Sequence, residues 1–169
     1  MQQKRVQKKM KTVKFVITRE DVYKRIFTTS AYTARAREAM GIPAAVAERM
    51  LITADDKEAV DPLIDNGMNA VLADIVRYHP GSSMEFTQDG YGGYYMFHMK
   101  AAESYPTGNE EMLTQSIGSY VANRTLQNWY ADIKPDEAAM TAAKMQNDAA
   151  TIHLLLTRRE KPKNIFQDI

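Results

Sequence analysis

The sequence predicts one α+β domain, mostly helical, built as a helix bundle with a projecting β-hairpin and extended N- and C-terminal arms. Much of the chain places apolar residues three or four positions apart, which is the spacing of helices that pack on a core. Residues 83–100 instead alternate or are rich in aromatic side chains, as strands are. With 169 residues, the chain is long enough to bury a single core.

The first elements are a short strand and a helix. Residues 14–18 (KFVIT) are rich in β-branched and aromatic side chains. Thr18, with Asp21 three positions later, has the pattern of a helix N-cap. We expect this helix to end near Phe27, because the following Thr-Thr-Ser run consists of weak helix formers. Residues 32–40 are weakly amphipathic and come before a Gly-Ile-Pro break.

A long helix is predicted from Thr53, a good N-cap, to about Tyr78. Acidic residues follow Thr53, where the helix dipole favours negative charge. Its apolar stripe consists of Val60, Ile64, Met68, Val71, Leu72, Ile75 and Val76. Pro62 lies inside this run, so either the helix kinks there or Asp61 caps a fresh start.

The second half of the sequence predicts a hairpin and two antiparallel helices. Strands are expected around residues 83–87 and 94–100, joined by the glycine-rich segment 88–93. One helix then runs from about Asn109 to Ile133, and Pro135 suits the first turn of the last helix.

The sequence gives no positive sign of catalysis, a metal or a cofactor. It has no cysteine, which excludes disulfides, thiolate zinc sites and iron-sulfur clusters. Its histidines, His79, His98 and His153, fall in three different predicted elements and lack a second ligand at helical spacing. We therefore expect a protein without enzymatic activity, bound metal or cofactor.

Charge divides the chain into a basic arm and an acidic remainder. Residues 1–14 contain six basic residues and no acid, so this segment carries a charge of +6. Because the whole chain has a net charge of +1, residues 15–169 carry −5. The basic residues of this arm are Lys4, Arg5, Lys8, Lys9, Lys11 and Lys14. Three interpretations stay open: a solvated tail, a contact with nucleic-acid phosphates, or a segment that docks on an acidic protein surface.

The predicted organisation is an N-terminal arm over residues 1–13, a domain over 14–160 and a docking tail over 161–169. No apolar run is long enough to cross a membrane and no signal peptide is evident, so we expect a cytoplasm-like compartment and no membrane partner.

Two groups of residues are candidates for an oligomer or partner interface. In the hairpin these are Tyr91, Tyr94, Tyr95 and Phe97, and in the tail Ile165, Phe166 and Ile169. A strand shows alternate residues to opposite faces, so some hairpin aromatics are expected to stay uncovered and available to a partner. The alternative is a thin sheet sandwiched inside the monomer.

The chain resembles the small head-tail connector or adaptor proteins of tailed bacteriophages, especially those of Bacteroides phages and prophages. The resemblance spans roughly residues 13–160. It is carried by residues 28–33 (TTSAYT), 53–56 (TADD), 119–130 (SYVANRTLQNWY) and 154–159 (LLLTRR), together with the aromatic hairpin after His79-Pro80.

This resemblance implies a virion structural protein that forms a homo-oligomeric ring, commonly twelvefold, beneath the portal or within the tail. Portal and neighbouring tail proteins would be its partners, and assembly would take place in the host cytoplasm. The alternative is a small nucleic-acid-binding regulator whose basic arm holds phosphates while its helical body dimerises.

Overall fold

The computed structural model describes residues 9–159, which form three strands and five α-helices. The predicted class, α+β and mostly helical, is confirmed. In chain order the elements are β1 (Met10–Thr18), α1 (Arg19–Ala39), α2 (Ala44–Met50), a 3₁₀ turn (Ala54–Asp56), α3 (Lys57–Tyr78), β2 (Ser83–Thr87), β3 (Tyr94–Ala102), α4 (Asn109–Tyr130) and α5 (Pro135–Thr157). Within this part of the chain, no helix combines the length and apolarity needed to cross a bilayer.

The strands form one antiparallel sheet in the order β1-β3-β2, so β3 lies in the middle. Phe97 of β3 lies opposite Phe15 of β1 and Met84 of β2. The rings of Phe15 and Phe97 stack with centroids 5.0 Å apart. Side chains on this face are buried against the helices, whereas Val16 and Lys14 point from the other, open face.

The helices complete the core on one side of the sheet. α4 packs against α1, α3, α5 and β1. α4 approaches α3 closely at Gly67. A side-chain carbon added to this glycine would lie only 3.0 Å from a methyl group of Val121. Ile117, Val121 and Leu126 are buried along α4. The sheet therefore lies on a helical layer in which α4 contacts most of the other elements.

Three predicted helix starts are confirmed. Thr18 caps α1 by accepting a hydrogen bond from the backbone N–H of Asp21 at 3.1 Å. Thr53 begins the turn before α3, and its N–H donates to the Asp56 carboxylate at 2.8 Å. Pro135 occupies the first position of α5.

Two boundaries differ from the predictions. β1 begins at Met10, so the limit placed between residues 13 and 14 is wrong: Val13 belongs to the core, with 6% of its surface exposed. α1 continues past Phe27 to Ala39. It does so because Ser30 turns inward, where its hydroxyl accepts a hydrogen bond from the Ile52 N–H at 3.1 Å.

Of the two interpretations of Pro62, the fresh start capped by Asp61 is wrong. α3 is continuous from Lys57 to Tyr78 with Pro62 inside it. The Asp61 carboxylate instead faces Arg19 of α1.

Candidate partner-binding surface

The described residues contain no group of three or more His, Asp or Glu side chains that could hold a metal ion. Their surface does contain grooves and exposed apolar groups around the hairpin and along α1. These features define the candidate site.

The tip of the β2–β3 hairpin is held in one conformation. The Asp89 carboxylate accepts hydrogen bonds from the backbone N–H groups of Tyr91 and Gly93, both at 2.8 Å. Gly93 has a positive φ of 92°, and a side chain there would collide with the Phe86 ring, so only glycine fits. The Gly93 carbonyl also accepts a hydrogen bond from the Arg19 N–H at 3.0 Å, which ties the tip to α1.

This ordered tip presents Tyr91 to solvent, with 82% of its surface exposed. Next to it lies a cavity of about 590 Å³ between the tip, α1 and the start of α3, which we call the hairpin-tip groove. Its lining residues are Glu20, Tyr23, Lys24, Phe27, Thr28, Lys57, Gly90, Tyr91 and Gly92. An exposed aromatic side chain on a fixed backbone loses little freedom on binding, which makes this groove suited to a partner.

The chemistry of the hairpin-tip groove is aromatic and cationic. The rings of Tyr23 and Phe27 stack with centroids 5.6 Å apart. The Lys57 ammonium lies 4.8 Å from the Tyr23 ring centre, within cation-π range. Lys24 adds a second exposed ammonium, and Glu20 is the one acid among the lining residues. The groove therefore favours an apolar ligand that carries negative charge.

A buried ionic network supports this groove from below. Arg19, 7% exposed, lies between two carboxylates of α3: its guanidinium is 3.4 Å from Asp61 and 2.5 Å from Asp65. Its Nε donates to the Tyr95 hydroxyl at 2.9 Å, and the Phe86 ring covers it with the centroid 4.3 Å away. One side chain thus connects α1, α3 and the hairpin.

Two tyrosines complete the network by donating their hydroxyl protons to these carboxylates: Tyr23 to Asp61 and Tyr95 to Asp65. Burial raises the pKa of the Tyr95 hydroxyl, and its hydrogen bond to Asp65 adds to the rise. Burial also raises the pKa of the Asp61 carboxyl, although the charge of Arg19 opposes the shift. Because Tyr23 belongs to both network and groove, the network fixes one wall of the groove.

A second groove, of about 510 Å³, lies between α1 and α4 and shares Lys24 and Thr28 with the first. Arg25 crosses it to donate a hydrogen bond to Gln115. It passes over Gly118, where a side-chain carbon would lie 3.3 Å from its Nε. This groove is lined by hydroxyl, amide and charged groups together with Ile17 and Ala122, and it contains no aromatic side chain among the described residues.

A separate apolar surface lies where α1 ends and α5 begins. Met40 and Met140 are 73% and 46% exposed, and the Arg37 guanidinium lies within 3.6 Å of both sulfur atoms. Arg37 also pairs with Glu137 at 2.5 Å, which holds the two helix ends together. We call Met40, Met140 and Arg37 the helix-end patch. Along α1, Arg37 of this patch lies nine residues, or about 14 Å, beyond Thr28 of the hairpin-tip groove.

The structure separates the four hairpin aromatics that were predicted to form an interface. Tyr91 is exposed at the tip and Tyr94 is partly exposed on the open face of the sheet. The prediction for Tyr95 and Phe97 is wrong, because their side chains point to the inner face and are 2% and 0% exposed. The alternation along β3 places both side chains in the core. The alternative of a sheet sandwiched inside the monomer therefore agrees with the inner face, while the other face is open.

The predicted tail residues Ile165, Phe166 and Ile169 lie outside the described residues. The same holds for Lys4, Arg5 and Lys8 of the basic arm.

The remaining arm lysines are not part of a separate arm. Lys11 and Lys14 belong to β1, and Lys9 directly precedes it, where its carbonyl accepts a hydrogen bond from the Glu103 N–H at 3.1 Å. The Lys11 ammonium donates to the Tyr105 carbonyl at 2.6 Å, so Lys11 is held by the fold. Lys14 is exposed on the open face of the sheet.

Sequence reasoning missed the Arg19 network and the grooves. One signal for the network was present: Asp61 and Asp65 are four residues apart on a helix, so both carboxylates fall on the same side, next to the apolar stripe. The partner, Arg19, is 42 residues before Asp61. Nothing in the local pattern connects the two.

Comparison with protein-family models, with curated proteins and with solved structures finds no significant match to this chain.

Proposed function

We propose that the chain is a structural subunit of a phage head-tail connector or tail ring, which oligomerises and joins the portal or capsid to the tail. Its role in this proposal is geometric: the helical body packs beside the next copy and its extensions dock on neighbouring proteins. The proposal assigns it no enzymatic activity, cofactor or metal.

The observation that carries the proposal is a pair of unlike interaction surfaces on one subunit. The hairpin-tip groove is concave, aromatic and cationic, whereas the helix-end patch consists of two exposed methionines around an arginine. A twofold dimer uses the same patch on both copies, but a ring needs two different surfaces that meet head to tail. Two unlike surfaces at different positions along α1 suit the second arrangement.

The sequence resemblance supports the same proposal. Residues 28–33 lie on α1 and residues 119–130 on α4, two helices that pack against each other. Residues 154–157 lie at the end of α5, the helix that pairs with α4. The segments that carry the resemblance therefore fall largely on the helical body.

The test is the absolute mass of the purified protein across a range of concentrations, measured by light scattering and accompanied by negative-stain images. We expect closed rings at high concentration. Met140→Glu should lower the mass, because it places a carboxylate in the helix-end patch. Met112→Glu is the matched control, since Met112 is 53% exposed on α4 and lies outside this patch. A single-chain mass at every concentration contradicts the proposal, as does an equal effect of both variants.

One observation favours the alternative of a nucleic-acid-binding regulator. On the open face of the sheet, Lys14 lies opposite His98 and the exposed Lys100 follows two residues later, so basic groups continue from the arm onto the sheet. Glu85 is exposed on β2 and lies opposite Met96, so it is on the same open face. Its carboxylate reduces the positive charge of this face. If this alternative holds, DNA binding falls steeply with salt and is weakened by a Lys14→Glu/Lys100→Glu variant.

A further inference from the structure

We propose that the C-terminal tail of one copy, residues 160–169, docks in the hairpin-tip groove of the next copy. This inference rests on the proposed function and names the contact that links successive subunits. Its main anchors are Ile165 and Phe166 of the tail against the half-buried Phe27 and the exposed Tyr91 of the groove.

The groove has the chemistry that the tail requires. Phe27 offers a half-buried ring that stacks on the buried Tyr23 behind it, and the exposed Tyr91 stands at the rim. Lys24 and Lys57 outnumber the one acid, Glu20, so the lining carries a net charge of +1.

The end of the tail complements this lining. Residues 164–169 (NIFQDI) contain three large apolar side chains, one acid and no basic residue. Asp168 gives these six residues a charge of −1, opposite to that of the groove, while Glu160, Lys161 and Lys163 before them make the whole segment 160–169 neutral. Apolar side chains in an aromatic cleft with a nearby ion pair are a common way for a short peptide to bind.

The tail leaves the fold far from the groove. At the end of α3, the His79 ring donates a hydrogen bond to the Leu156 carbonyl at 2.8 Å, and Arg159 donates to the same carbonyl at 3.4 Å. The groove lies at the other end of α3, where Lys57 lines it. The 22 residues of α3 make this separation about 30 Å.

This separation determines which copy the tail reaches. Six residues lead from Arg159 to Ile165, and a fully extended chain of that length spans about 20 Å. Ile165 and Phe166 therefore fall short of the groove in their own subunit. A neighbouring subunit is the copy in which both residues can enter the groove.

The absence of cysteine in the chain allows a direct test by cross-linking. Gly90→Cys marks the groove, because a side chain at Gly90 meets no atom within 4 Å. Gln167→Cys marks the tail and keeps its apolar residues. The two full-length single variants are mixed and treated with a short bis-maleimide. Asn147→Cys, exposed on α5, replaces Gly90→Cys in the matched control.

We expect about tenfold more covalent heterodimer from the Gly90 and Gln167 pair than from the control pair, since docking raises the effective concentration of the two thiols. Adding Phe166→Ser to the Gln167→Cys chain should remove this excess. Equal yields for both pairs overturn the proposal, and so does an excess that survives Phe166→Ser, because the tail would then be near the groove without binding it.

A second experiment distinguishes a tail that docks in its own groove from a tail that docks in the groove of the next copy. It uses a chain that carries both cysteines, diluted into excess wild-type protein. A product linked within one chain overturns docking between copies. The result is also distinct from the test of the ring: rings without the cross-link contradict only the tail contact, and cross-linked dimers or open chains without rings contradict only the closed assembly.

Discussion

Arg19 begins α1, and its side chain ends between the carboxylates of Asp61 and Asp65. A guanidinium that is 7% exposed is stable in this place because two acids, a tyrosine hydroxyl and an aromatic face surround it. The same contacts fix the relative positions of α1, α3 and the hairpin tip. The cost of burying the charge is thus offset by several interactions rather than by one.

The first prediction concerns this residue. Arg19→Met should lower the free energy of unfolding by about 2–3 kcal/mol, because two facing carboxylates lose their cation. The loss is smaller than for a fully buried pair, since the side chains of Asp61 and Asp65 are 33% and 45% exposed and water can solvate them. Urea denaturation measures the change. Lys24→Met, on the exposed side of α1, is the control, and an equal effect of both variants would refute the structural role.

The second prediction concerns His79, which is 2% exposed. Burial lowers the pKa of its imidazole below the ordinary 6.5, and the charge of Arg159 acts in the same direction. The folded state therefore keeps this ring neutral at a pH where the unfolded chain already binds a proton. Its contribution to stability is complete above about pH 6.5 and is lost as the pH falls below that value.

His79→Gln should remove part of this pH dependence while keeping a donor for the Leu156 carbonyl. The measurement is the free energy of unfolding in urea at about pH 7.5 and about pH 5.5. We expect a smaller difference between the two pH values in the variant than in the wild type. An unchanged difference would show that His79 does not carry the effect.

At the scale of elements, helix starts were predictable because their signals are local. Thr18 and Thr53 needed only an acid three residues later, and Pro135 needed only its fixed φ. The end of α1 was not predictable from the Thr-Thr-Ser run, since the buried Ser30 hydroxyl gains a partner from Ile52, 22 residues away. Tertiary contacts override weak local propensity there.

The sheet and the site follow the same rule. Nothing in the residues before Lys14 shows that β1 begins at Met10, because β3 provides the pairing. Alternation predicted that one face of β3 would be buried but not which one, so Tyr95 and Phe97 were wrongly expected to stay uncovered. The exposure of Tyr91 was predictable because a glycine-rich tip lies outside any strand, whereas its role in an interface stays a prediction.

The third prediction compares two glycines of the helical layer. Gly118→Ala should stabilise the protein by about 0.5–1 kcal/mol, because alanine favours the helix and the nearest side chain, Arg25, can shift. Gly67→Ala should destabilise it by about 1 kcal/mol, because the new methyl group meets buried Val121 at 3.0 Å. Thermal and urea denaturation compare the two variants. Stabilisation by both variants would show that α3 and α4 are less tightly packed than described, and destabilisation by both would show that Arg25 does not shift.

At the scale of the whole molecule, the chain combines a basic N-terminal segment, an acidic remainder, an aromatic groove at the hairpin tip and the exposed methionines of the helix-end patch. These features imply opposite responses to salt. Contacts between apolar surfaces are little weakened by salt, whereas contacts between Lys or Arg and phosphates are screened and release counterions. The salt dependence of association therefore distinguishes a connector subunit from a nucleic-acid-binding regulator.

The fourth prediction uses this difference. Between about 0.1 and about 1 M NaCl, the mass of the self-assembled protein should stay constant or rise, because the helix-end patch and tail docking depend on buried apolar area. A variant that lacks residues 1–8 should assemble in the same way, since the proposed contacts use the helix-end patch, the hairpin-tip groove and residues 164–169. Light scattering at matched concentrations measures both. If assembly is lost at high salt, or when residues 1–8 are removed, the basic segment holds the copies together. The hairpin-tip groove and the helix-end patch then do not.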